Sequence, residues 1–365
     1  MKKDGKRIII GENKRFGKVY KSSNTMNDHI AMFGLSGSGK STELMNLTLQ
    51  FHQQDCRVVT INWRKCLDMD GIMPKLQKEY LENRQKIDVE REGLKLPLFT
   101  PMANQSGYVE NQASVVQRVT NLLSKTCNIT ESQKACVRNA VENTYQNEMY
   151  SKNGIREIGF FLEAQDYKTA LSAASRLSSL CAQNCFRDGD FLEEIKDKII
   201  EVDVNGIQYE DQVKVVYALL DHILRMANAG KFINRPLTVV IDECQNLDFS
   251  SGSTMAILLN ESRKMGINLV MAAPRMSTLA KNDMRIMQQC GSILHFMPIA
   301  EDRRKIARQI DPKKEDAQVY NLANLKRGQF VASGEFETED GKDELPSAIT
   351  LETYFSKDVR EATKQ

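Results

Sequence analysis

One stretch constrains this chain more than any other: "GLSGSGKST", Gly34 to Thr42. It fills every fixed position of the pattern G-x-x-x-x-G-K-[ST]. That pattern makes a structural demand. Its glycines let the backbone curl so that N–H groups converge on phosphate oxygens, with a helix N-terminus behind them. A strand must therefore deliver the loop and a helix must leave it. The sequence supplies both, as "DHIAMFG" before the loop and an apolar helical run from about Lys40 to His52 after it. On this reading Gly34, Ser36, Gly37, Ser38, Gly39, Lys40, Ser41 and Thr42 bind a nucleotide. Lys40 reaches the β- and γ-phosphates of ATP, and Ser41 ligates Mg²⁺.

The loop needs an acidic partner, and "LTVVIDE" provides one. An apolar strand ending in Asp242 holds Mg²⁺ through water, and Glu243 polarises a water for attack on the γ-phosphate. ABC transporter ATPases share the "SGSGKST" look, but no LSGGQ segment precedes this acidic strand. Small-molecule kinases seldom carry so much chain between the two motifs.

Strand–helix alternation surrounds both motifs: "CRVVTINW", "KIIEVDV", "INLVMAA" and "SILHFMP" read as strands, "DQVKVVYALLDHILRMA" and "AEDRRKIARQI" as helices. It predicts an α/β fold with a mostly parallel sheet covered on both faces. Between about Gln112 and Phe191 the pattern turns all-helical. Val115, Val116, Val119, Leu122 and Leu123 share one helical face, and "TESQ" (Thr130 to Gln133) is a capping box. The expected organisation is an N-terminal hairpin segment at 1–27, core at 28–110, a helical insertion at 111–195, core at 196–350 and a tail at 351–365. "LPLFTPMA" reads as extended, and "GQFVASGEFETEDGKDELPSAITLE" as two strands joined by an Asp-Gly turn.

Composition narrows the setting. There are 50 Lys+Arg against 48 Asp+Glu, a net charge of +2, which is far from a DNA-coating domain. The opening "MKKDGKRIII" has no apolar core behind its lysines, and no apolar run is long enough to span a bilayer. A cytoplasmic chain with reduced thiols is expected. Cys181 and Cys185 lie one helical turn apart, with no His within ten residues, and are read as structural thiols.

Taken together, the sequence resembles the HerA–FtsK superfamily, which includes bacterial chromosome pumps, conjugative coupling proteins and type IV secretion ATPases. Four stretches carry the resemblance: "HIAMFGLSGSGKST", "LTVVIDECQNL", "ESRKMGINLVMAAPRMSTL", and "CGSILHFMPIAEDRRKIARQI" with "LKRGQFVASGEF". It covers most of Asp28 to Phe336. It implies a RecA-like core, a homo-oligomeric ring (a hexamer) and ATP-driven movement of double-stranded DNA. Lys40, Ser41, Asp242 and Glu243 keep their roles in it.

The resemblance also implies a cation donated by a neighbouring subunit, for which Arg263, Arg275 and Arg303 lie in suitable segments, Arg263 and Arg303 chiefly. Arg275 and Lys281, in "PRMSTLAKND", are the candidate DNA contacts. One departure stands out. The family's Thr-Gln at the end of the sensor strand is Ala273-Pro274 here, and Pro offers neither a side-chain amide nor an N–H. Gln245 is a nearby amide able to substitute. Members usually carry membrane helices or an N-terminal β-barrel; the short hairpin here suggests a bare motor that works with a partner protein such as a nuclease, relaxase or secretion or defence component. A nucleotide-gated scaffold, or a ring ATPase that moves protein, fits the same motifs.

Overall fold

The computed structural model describes residues 7–22, 27–63, 73–276, 287–339, 341 and 345–355. The chain divides into two compact units, one formed by Met1–Arg84 with Asn234–Gln365, the other by Gln85–Ile233.

The first unit is built on a sheet. Its strands run, in spatial order, Phe336–Glu337, Gly17–Lys21, Ile9–Asn13, Ala348–Glu352, Gln329–Gly334, Ser292–Phe296, Ile30–Phe33, Ile267–Ala273, Leu237–Ile241 and Arg57–Asn62. The five strands from Ser292–Phe296 to Arg57–Asn62 are mutually parallel. The remaining strands are antiparallel and extend one edge. The α/β class expected from the alternation is the class observed, with a parallel core in a mixed sheet. Every residue of Ile30–Phe33 and of Leu237–Ile241 is buried, so both faces of these strands are covered, which is why they read as unbroken apolar runs.

The parallel core places the chemistry. Ile30–Phe33 runs into the phosphate loop, and the helix Lys40–Gln53 leaves it. Met271 is level with Ile241 in the neighbouring strand, so the end of Ile267–Ala273 comes beside the acidic turn. Of the two strands expected at the C-terminal end, Gln329–Gly334 pairs antiparallel with Ala348–Glu352, but a third short strand, Phe336–Glu337, lies between them in sequence, and Asp340 of the expected Asp-Gly turn lies outside the described residues. The N-terminal hairpin is tied down by an amide: Gln50 accepts from the N–H of Ile9 at 2.8 Å and donates to its carbonyl at 3.0 Å. A helix side chain thus completes a strand's hydrogen bonding.

The second unit holds the helices Gln112–Thr126, Glu131–Gln146, Arg156–Glu163 and Lys168–Ala182, together with Tyr209–Asn228. Val115, Val116, Val119, Leu122 and Leu123 are buried together as their spacing requires. Thr130 and Gln133 form the expected capping box. "LPLFTPMA" (Leu96 to Ala103) lies outside the named strands: Leu94–Lys95 pairs with Phe186–Arg187 just before it and Ala103 bridges Val109 at its end, while Pro97 and Pro101 have no N–H to extend a ladder. Arg118 fastens that segment, donating to the Leu98 and Thr100 carbonyls and to both oxygens of Glu110. Cys181 and Cys185 are buried free thiols, each pushed up to about 12 by burial. No helix among the described residues is long and apolar enough to cross a membrane.

Candidate nucleotide site

The loop adopts the backbone its glycines were read to permit. Gly37 and Gly39 have φ of 77° and 111°, in the left-handed region that side-chain-bearing residues avoid. Gly39 caps the helix Lys40–Gln53, and the N–H of Glu43 closes the first turn on its carbonyl at 3.1 Å. The first-turn N–H groups ahead of it have no intrahelical acceptor, which leaves them for an anion. The loop is also packed too closely to admit side chains at two glycines. A Cβ on Gly34 would lie 2.6 Å from the Phe296 Cβ, and one on Gly39 would lie 3.0 Å from the Gly328 backbone.

Neighbouring segments hold this shape. Leu35 donates to the Met297 carbonyl at 3.0 Å, and Gly328 donates to the Ser38 carbonyl at 2.8 Å. Thr353 in turn donates to the Gly328 carbonyl at 2.9 Å. The "KRG" turn before the strand Gln329–Gly334 therefore braces the phosphate loop. Sequence reading missed this brace, because a Gly after two basic residues looks like any turn.

Lys40 lies at the centre. Its ammonium is buried and donates to the carbonyls of Gly34, at 2.5 Å, and Leu35, at 3.0 Å. Burial lowers its pKa, and the carboxylates of Asp242 and Glu243 oppose that shift. Lys40 and the acidic pair thus share one electrostatic environment.

Asp242 closes the strand Leu237–Ile241 and is buried. Burial pushes its carboxyl up to about 6; the Glu243 carboxylate adds to the rise, while the Glu243 N–H, donating at 2.9 Å, and Lys40 oppose it. A divalent cation beside this buried carboxyl would favour its ionised form. Hard oxygen donors from Asp242 and the Ser41 hydroxyl suit Mg²⁺. Glu243 takes a left-handed backbone, φ 52° and ψ 40°, rare for a residue with a side chain and costing about 1–3 kcal/mol where it persists. The turn Cys244–Asn246 follows, and within it Gln245 Nε2 donates to Glu243 Oε2.

Two of the remaining candidates have described side chains. Arg275 is exposed, directly after Pro274. Arg303 is half-buried on the helix Ala300–Ile310, with its Nε buried and without a hydrogen-bond partner among the described residues. Arg263 sits on the turn Ser262–Met265, its side chain outside what is described, and Lys281 lies outside the described residues altogether.

One residue of the site escaped the sequence reading. Glu43, in the first turn after the loop, is completely buried, and neither carboxylate oxygen has a hydrogen-bond partner among the described residues. Burial pushes its carboxyl from 4.5 up to about 8; Thr353 and Asn46 pull the other way without reaching bonding geometry on either oxygen. Because the folded-state pKa is raised, folding holds a proton that the unfolded chain has released. The associated stability is complete below about 4.5 and is lost as pH rises toward about 8. Thermal melts from pH 5 to pH 8 are expected to show the wild type losing a few kcal/mol relative to Glu43→Gln, which removes the titrating group. Parallel pH profiles for the two proteins would refute this.

No family model matches the chain, and no curated protein matches it in sequence. Its fold does match solved structures. VirB4 of Thermoanaerobacter pseudethanolicus superposes with a TM-score of 0.69, covering 98% of this chain and 99% of that one, at 16% identity. The bacterial conjugative coupling protein TrwBΔN70, unbound, gives 0.63 over 98% of this chain and 90% of that one, at 13% identity. TrwB with the non-hydrolysable ATP analogue ADPNP gives 0.58 over 90% and 86%, at 16% identity. At these identities the likeness is one of fold. The chain has the RecA-like P-loop NTPase fold that VirB4 and TrwB share, which is the architecture the sequence resemblance implied.

Proposed function

We propose that this chain is a Mg²⁺-dependent ATPase of the HerA–FtsK type that assembles into a homo-oligomeric ring, a hexamer, and moves double-stranded DNA. The observation that carries the reading is the meeting of Lys40, Asp242 and Glu243 at the end of the parallel core. ATP lies with its phosphates on Gly34 to Thr42, and Mg²⁺ is held by Ser41 and Asp242. When bound, the metal supplies positive charge to the phosphate oxygens. Glu243 takes a proton from the attacking water, and Lys40 stabilises charge on the transferring phosphoryl group. The known structures of TrwB with ADP and Mg²⁺, with ADPNP and with the GTP analogue GDPNP support a purine nucleotide with Mg²⁺ as the ligand. Arg263 or Arg303 reaches the γ-phosphate of the neighbouring subunit, and Arg275 with Lys281 meets DNA phosphates. The setting is a conjugative or mobile-element system, or an antiphage system, with a partner protein supplying location or chemistry.

A second reading has support in two particulars, Pro274 and the net charge of +2: a slow, nucleotide-gated ring that organises a partner, or moves protein, without moving DNA. ATP hydrolysis measured with and without long duplex DNA separates the two. The motor reading expects severalfold stimulation by duplex, absent in Lys40→Ala. A low rate indifferent to DNA would move the assignment to the scaffold.

A further inference from the structure

We propose that Gln245 is the positioning residue that sets the carboxylate of Glu243 for hydrolysis, in place of an amide at position 274. This rests on the reading of the chain as an ATPase, and deepens it.

Three observations converge. First, Gln245 Nε2 donates to Glu243 Oε2. A carboxylate only accepts, so the bond itself dictates which end of the amide faces Glu243. Second, the backbone is arranged to make this contact. Residues two apart on a helix do not face one another. Here the left-handed Glu243 and the turn after it, closed by Asn246 N–H on the Glu243 carbonyl at 3.1 Å and Leu247 N–H on the Cys244 carbonyl at 3.0 Å, bring side chain 245 back onto side chain 243. Third, the opposite end of the amide, Gln245 Oε1, is buried with no hydrogen-bond partner among the described residues. A residue kept only to fill space would be apolar at that atom. A buried amide oxygen left without a partner calls for an account, and a task for the other end of the amide supplies one.

The neighbouring strand explains why the task falls here. The ladder between the two strands ends with Met271 level with Ile241, and the strand Ile267–Ala273 packs on the turn Cys244–Asn246. Pro274, next in sequence, has no amide and no N–H to offer the carboxylate. Gln245 donates from the acidic strand's own turn instead.

The test uses the full chain with four variants: Gln245→Leu, Gln245→Glu, Glu243→Gln and the double Gln245→Leu/Glu243→Gln. ATP turnover is measured together with the Kd of a fluorescent ATP analogue and the Tm. Loss of one hydrogen bond to a charged group predicts a kcat for Gln245→Leu lower by about 10- to 100-fold. KM, the analogue Kd and the Tm should stay near wild type. Gln245→Glu keeps the shape without the donor and should fare no better. The double variant should be no slower than Glu243→Gln, because Gln245 acts through that carboxylate. A kcat for Gln245→Leu within twofold of wild type overturns the proposal, as does a loss shared by Kd and Tm, or one additive with Glu243→Gln. If wild type hydrolyses ATP and Lys40→Ala does not, such a result strikes Gln245 alone; a wild type that does not hydrolyse ATP strikes the ATPase reading and this inference together.

Discussion

Lys40→Ala is expected to show the largest functional loss, with ATP turnover falling by about 10²–10³-fold and nucleotide affinity by about 10–100-fold. The reason lies in where the ammonium sits. It is a buried cation already drawn into the loop by the Gly34 and Leu35 carbonyls, with Asp242 and Glu243 in its electrostatic field. Polyanionic phosphates are better partners than two carbonyls, so binding transfers the charge from loop to ligand. Alanine keeps the helix and removes the charge. The helix Lys40–Gln53 keeps its cap at Gly39 and its buried Leu44, Met45 and Leu47, so the melting temperature should move little. Turnover, nucleotide Kd and melting of the same preparations check all three statements. Wild-type turnover in Lys40→Ala would remove the phosphate loop from the mechanism.

Glu243→Gln is expected to separate binding from chemistry. Turnover should fall by about 10²–10⁴-fold, the range for losing a general base, while ATP binding stays within a few-fold of wild type. The substitution is clean for a local reason. Gln245 Nε2 donates to one oxygen of Glu243, and a glutamine at 243 still presents an amide oxygen there. The left-handed backbone at 243 is then asked of an isosteric side chain, and the turn Cys244–Asn246 keeps its hydrogen bonds. Single-turnover hydrolysis alongside equilibrium binding decides the matter. Equal losses in both would mean that Glu243 holds nucleotide or metal rather than activating water.

How far the sequence could be read follows from the range of the forces involved. The phosphate loop, its strand and its helix were legible because they are local: glycines at fixed offsets permit a backbone that few other residues allow, and Gly37 and Gly39 take it up. The buried central strands were legible as apolar runs for a similar reason, since covering both faces leaves no polar alternation. The capping box at Thr130 and the apolar stripe from Val115 to Leu123 are likewise written within a few residues.

What the sequence determined by itself, then, is the set of local conformations and the chemical types of the phosphate and acidic groups. The tertiary structure alone decided which distant groups meet. Lys40 and Asp242 are about two hundred residues apart in sequence, and only parallel pairing of Leu237–Ile241 and Ile30–Phe33 with the strand between them brings them together. The brace of Gly328 on Ser38 and the stranded carboxyl of Glu43 left no sequence pattern, and Gln245 was legible only as a nearby amide, not in its grip on Glu243. Burial and hydrogen bonding are properties of the assembled surroundings, and the same Glu in an open helix would be an ordinary solvated acid.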